Sequence, residues 1–176
     1  MEELIMKSIN WSTDYLPGHT DNFVSNEVIT DGVTLAAVWK NLVDTSKWTT
    51  YYDNATNIIL DDQTNTELKF AEHFRFDTFG FPIDAQVMEL VEPTDGETAR
   101  LAWHGWQNGD ADTQFDVYHA FLIEKLTDGR IRLLTQESQV GQPAKDLANQ
   151  TPNPMLNGHQ SWLDGLVKAA KRTMTE

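Results

Sequence analysis

The strongest constraint on what this chain can become is its last periodic segment, Asn153 to Thr173. Asn is a favoured N-cap, and Pro at the first helical position gives up no hydrogen bond, so Asn153-Pro154 marks a helix start. Met155, His159, Leu163, Leu166, Val167 and Ala170 then recur at spacings of three and four, one stripe of a 3.6-residue helix. Lys168, Lys171 and Arg172 stand in the last turns, where the helix dipole favours cations. A second stripe runs through Gly158, Trp162, Gly165 and Ala169. Each interior glycine costs about 1 kcal/mol relative to alanine. Two on one face leave room for a close approach, by a neighbouring backbone or by a bound ligand. A helix apolar on two sides needs two covers, and the rest of the chain must supply them.

That rest reads mainly as strands. Asn22–Ile29 forms a first strand, with Phe23 and Val28 as its apolar positions, and Thr30-Asp31-Gly32 breaks it. Leu35, Val38, Trp39 and Leu42 then predict a short helix ending near Asp44. A second short helix or turn, Ser46 to Tyr52, carries Trp48, Tyr51 and Tyr52. Strands follow at Asn57–Leu60, Glu67–Asp77, Ile83–Val91, Glu97–Trp106, Gln114–Leu126 and Arg130–Val140. Asp95-Gly96 and Asp128-Gly129 are hairpin dipeptides. Short connections between most strands imply an antiparallel meander. A polar bridge, Lys145–Pro152, leads to the final helix.

This order predicts an α+β domain in which a curved antiparallel sheet of about seven strands wraps the long C-terminal helix. A cavity between sheet and helix is the physical expectation. Residues 1–18 read as an N-terminal extension with a Pro17-Gly18 turn, and residues 19–176 as one ligand-binding domain.

Composition excludes several functions. With 40% hydrophobic and 23% charged residues the chain is an ordinary globular one. A net charge of −14 argues against nucleic acid and anionic membrane surfaces, both of which need a basic footprint. No apolar run is long enough to cross a bilayer, and the first residues do not resemble a secretory signal. The absence of cysteine rules out disulfides, thiolate metal sites and a thiol nucleophile, and fits a cytoplasmic location. No phosphate-binding glycine loop and no Gly-x-Ser-x-Gly elbow occurs.

Val38-Trp39-Lys40-Asn41-Leu42-Val43-Asp44, followed by Trp48 and Tyr51, resembles an early pattern of the helix-grip superfamily (SRPBCC). That superfamily includes START lipid-transfer domains, birch-pollen-allergen-like proteins and bacterial polyketide cyclase/dehydrase-like proteins. Phe76-x-x-Phe79-Gly80-Phe81-Pro82, Ala85-x-Val87-x-Glu89-Leu90-Val91-x-Pro93, the hairpin from His119 to Gly141 and the helix bearing Trp162 extend the likeness over residues 20–174. The resemblance implies a helix-grip fold, with two short helices after the first strand. It also implies a protein that binds a small hydrophobic, aromatic or lipid-like molecule between sheet and helix, without a cofactor. It carries over no catalytic residue.

The candidate lining of that cavity is Trp39, Trp48, Phe74, Trp103, His119, Phe121, Glu137 and Trp162. On Gln114–Leu126 the face with His119, Phe121 and Ile123 is taken as concave, which places Asp116 and Glu124 in solvent. On Arg130–Val140, Ile131, Leu133, Thr135, Glu137 and Gln139 share a face. If that face points inward, Glu137 is a carboxylate in an apolar bowl, costly unless paired, with His119 on the adjacent strand as its partner. Such a pair could act as acid and base. The competing reading puts Glu137 at a solvated rim. Trp103 and Trp106 fall on opposite faces unless a bulge at Gly105 reunites them. One of them lines the cavity; the other covers the outer face or an oligomer contact, which leaves a homodimer open. The five histidines show no i, i+4 pairing, so their spacing gives no metal site. Two alternatives to a carrier remain: a polyketide-cyclase-like enzyme using His119 and Glu137, and a protein-interaction module if side chains fill the cavity.

Overall fold

A computed structural model describes residues 5–176. Seven strands form one antiparallel sheet: β1 (Asn22–Thr30), β2 (Ala55–Leu60), β3 (His73–Thr78), β4 (Phe81–Val91), β5 (Thr98–Gln107), β6 (Phe115–Lys125) and β7 (Ile131–Val140). Their order across the sheet is β1-β7-β6-β5-β4-β3-β2. The meander β2 to β7 is thus closed at its far edge by the first strand. Helices α1 (Leu35–Val43) and α2 (Thr45–Tyr51) follow β1. The Thr34 hydroxyl caps α1 by accepting from the Ala37 amide, and the Asp44 carboxylate caps α2 from Ser46. The expected α+β architecture, a curved sheet around a long C-terminal helix, is the observed one.

That helix, α4 (Pro154–Thr173), begins on an Asn153 side chain that accepts from the Met155 amide. Met155, His159, Leu163, Leu166, Val167 and Ala170 are all buried, as the stripe requires. The two glycines of the other stripe admit neighbours from the chain itself. A Cβ at Gly165 would overlap the Tyr51 carbonyl oxygen, and one at Gly158 would overlap the Phe79 ring.

Four local readings needed correction. In β1 the buried apolar residue is Val24; Phe23 faces outward against Trp11. The strand expected from Glu67 starts only at His73, because the chain turns at Ala71, whose φ is 67°. The polar bridge expected over Lys145–Pro152 begins inside a short helix, α3 (Gln142–Ala148), which buries Pro143, Ala144 and Leu147. Glu124 is not in solvent. It is buried beside the Arg132 guanidinium at 3.5 Å and accepts from the Lys7 amide.

Glu124 is covered by the N-terminal segment, whose Lys7 amide donates to it. Residues 5–18 lie along the convex face of the sheet, where Ile9, Trp11 and Tyr15 pack on Tyr118, Leu122 and Leu134. The Tyr15 hydroxyl donates to Asp116, which also meets His104 Nε2 at 2.9 Å. Burial, the largest influence, pushes the Asp116 carboxyl up, but hydrogen bonds from His104 and Tyr15 and the charge of His104 bring it below the ordinary aspartate range.

Candidate functional site

The concave face carries the odd-numbered residues of β6 and β7, so the strand phase is the one expected. Phe115, Val117, Phe121, Ile123, Ile131 and Leu133 belong to the core between sheet and α4. Trp103, His119 and Glu137 form a row across three strands, because Trp103 pairs with His119 and His119 with Glu137. Gly105 makes no bulge; the register shift lies in β4 between Val87 and Glu89. Trp106 accordingly faces outward beside His104, with ring centroids 4.9 Å apart.

Aromatic side chains fill most of the space that the sequence suggested as an open bowl. Trp48 meets Trp103 at 5.6 Å and Trp162 at 5.1 Å, and Phe74, Phe76 and Phe121 close the cluster around them. The Trp48 indole donates to the Leu42 carbonyl at 2.8 Å, which fixes it as a core residue. What remains is a chamber of about 10 Å³ at one end of the cluster, about the space of a single water. Phe79, Trp103, His119, Glu137, His159 and Trp162 are among its walls.

Four of the eight expected lining residues, Trp103, His119, Glu137 and Trp162, therefore meet at this chamber. Trp48, Phe74 and Phe121 stand behind them in the core. Trp39 lies elsewhere, on an open outer cleft of about 600 Å³ shared with Lys40 and Lys69. His159 was missed as a site residue. Its place in the helix stripe marked it as buried, and a polar ring in an apolar stripe was the available signal.

The polar geometry differs from the expected His119–Glu137 pair. His159 Nε2 lies 3.1 Å from Glu137 Oε2, yet this oxygen and His159 Nδ1 have no aligned hydrogen bond among the described residues. His119 instead hydrogen-bonds through Nε2 to Thr135 Oγ1 at 2.8 Å, and that hydroxyl donates to the Ala120 carbonyl. The Thr135 hydrogen is thus spent, so Thr135 accepts and His119 donates. Nδ1 is left as the lone-pair nitrogen of His119. The two imidazoles stack with centroids 4.5 Å apart and planes 16° from parallel. Burial, and secondarily the His159 ring, hold the His119 pKa well below the ordinary histidine range. Tyr52, stacked on Trp162 at 4.4 Å, has its pKa raised by burial and further by the Glu137 charge.

The chamber is plugged by Phe79. Phe79 and Gly80 both have positive φ, 51° and 79°, the backbone of a tight two-residue turn between β3 and β4. Phenylalanine pays a steric cost there that glycine does not. The Asn54 side chain holds the turn by accepting from the Phe79 amide at 2.9 Å. The ring then lies over Gly158, 5.8 Å from the centroid of His159.

The architecture is the helix-grip fold, and two solved structures share it. The di-domain ARO/CYC BexL from the BE-7585A biosynthetic pathway superposes with a TM-score of 0.57 at 9% identity, over 82% of this chain and 45% of its own. Ara h 8.0201 superposes with a TM-score of 0.54 at 11% identity, over 88% of this chain and 100% of its own. Both share the fold. The chain belongs to the family of the hypothetical protein jhp0584 from Helicobacter pylori, with which it is 49% identical over 96% of this chain and 99% of that one, at a TM-score of 0.91. No protein-family profile and no curated protein matches the sequence. Among the described residues no helix is long and apolar enough to cross a membrane.

Proposed function

We propose that this protein binds a small aromatic molecule bearing a hydroxyl or amine, with its ring in the seat of Phe79 and its polar group against Glu137 and His159. The observation that carries the reading is that two buried residues with unpartnered polar atoms, Glu137 (Oε2) and His159 (Nδ1), both line one chamber within an aromatic core. Each such atom costs about 1–3 kcal/mol when left unsatisfied, so a fold selected for stability alone would replace it. A hydroxyl can donate to the carboxylate and accept from an imidazole N–H. The closed chamber admits about one water, so an aromatic guest requires Phe79 to swing off Gly158. Trp103 and Trp162 then flank the guest's ring.

Titration with phenol, followed by tryptophan fluorescence on metal-free protein, tests this. Saturable quenching is expected, tightened at least tenfold in Phe79→Ala, which empties the seat in advance. Quenching that never saturates in either protein would refute the reading.

Acid–base catalysis is a second reading, favoured by the 3.1 Å approach of two titratable groups, His159 and Glu137. It adds the expectation that a bound guest is converted, so its parent mass would decline on incubation.

A further inference from the structure

We propose that His119, Glu137 and His159 form a site for one divalent transition cation of the zinc class. The site occupies the polar end of the chamber but needs no organic guest. One donor atom from each residue lies within 4.8 Å of the other two. Ligands at about 2.0–2.2 Å around a tetrahedral zinc ion stand about 3.4 Å apart. The 3.1 Å between His159 Nε2 and Glu137 Oε2 is close to that spacing. The third donor must move inward by roughly an ångström, and the stacked imidazoles must splay so that both lone pairs meet one point.

Four further observations point to a cation. Glu137 and His159 are 5% and 2% exposed, and Glu137 Oε2, one of the proposed ligand atoms, keeps no hydrogen-bond partner. Glu137 has no Lys or Arg within ion-pair distance among the described residues; His159 is its single ionic neighbour. A buried carboxylate with so little compensation is strongly disfavoured. Thr135 supplies the outer support that metal-binding imidazoles commonly have. By taking the Nε2 hydrogen of His119 and passing its own to the Ala120 carbonyl, it leaves His119 Nδ1 bare for coordination. The chamber, about the size of one water, has room for a single small ion held by the three protein ligands.

The competing occupant is a proton shared between His159 and Glu137, and the test separates the two. Protein treated with EDTA receives one equivalent of zinc(II) or cobalt(II), both in its native state and during refolding from urea, so that slow access to a closed chamber is not read as absence of a site. Native mass spectrometry counts the ions, and cobalt(II) absorption in the visible reports nitrogen and oxygen coordination. One ion per chain is expected, with affinity reduced at least tenfold in Glu137→Gln and in His159→Gln, and unchanged in His73→Gln on the surface. Circular dichroism confirms that each variant is folded; Glu137→Gln, nearly isosteric, decides the case if His159→Gln is not. No retained ion under either protocol, or equal retention by Glu137→Gln and the parent, overturns the proposal. Phenol is absent throughout, so this result stands apart from that of the fluorescence titration.

Discussion

Replacing Gly165 by alanine sets two effects of opposite sign against each other. Helix propensity alone predicts a gain of about 1 kcal/mol, since interior glycine is that much poorer than alanine. The structure predicts a loss. A Cβ at position 165 would overlap the carbonyl oxygen of Tyr51, which belongs to the backbone at the end of α2 and cannot rotate aside. The next nearest atoms are the Tyr51 ring at 3.1 Å and its carbonyl carbon at 3.2 Å, so relief requires α2 and α4 to separate. Overpacking of this kind costs about 1–3 kcal/mol, and a rigid backbone neighbour puts it at the upper end. The net expectation is a loss of about 2 kcal/mol, which lowers the melting temperature of a chain this size by about 4–8 °C. Urea denaturation followed by far-UV circular dichroism measures it, with an unchanged m-value showing that the folded state survives. A Gly165→Ala protein as stable as its parent, or more so, would refute the claim that α4 and α2 are in backbone contact.

Three other outcomes follow from the same structure. Trp48→Ala should cost about 3–5 kcal/mol in the same assay, since the indole is fully buried against Phe74, Trp103 and Trp162. Asp116→Asn should reveal the acid sensitivity of the N-terminal clasp. The Asp116 pKa is depressed in the folded protein, so its contribution is complete above the unfolded value of about 3.9 and is lost as pH falls through the lower folded value. The stability difference between parent and variant should therefore shrink as pH falls below about 4. Deleting residues 1–18 should uncover Tyr118, Leu122 and Leu134 and raise the fluorescence of an apolar surface probe, whereas a deletion that leaves probe binding unchanged would mean that the segment does not cover the convex face.

Periodicity carried most of the fold because the strands and α4 are long enough for their faces to show. The sequence stripe in α4 buries the residues it names, and alternation in β6 and β7 placed His119 and Glu137 on the concave side. Where the reading failed, the deciding partner was distant. Glu124 looked solvent-facing because Lys7, whose amide donates to it, comes from the far N-terminal segment, although its cross-strand neighbour Arg132 follows from the hairpin. The α3 helix has only seven residues, too few for a periodic stripe to stand out. The candidate site was half legible. Cross-strand registry of His119 and Glu137 follows from hairpin geometry, but His159 reaches Glu137 from a helix that crosses the sheet, an approach no spacing rule encodes. The volume of the chamber was not legible at all. Apolar composition gives the number of aromatic rings, whereas their packing decides whether they line a bowl or fill it.

The most direct test of small-molecule binding is a native mass spectrum of the protein purified without stripping, with a matched denatured spectrum. The account predicts a discrete added mass, no larger than a one-ring compound together with an ion, that leaves on denaturation and is restored by excess phenol. A bare chain under both conditions, before and after phenol, would contradict it and turn attention from the chamber to the outer surface.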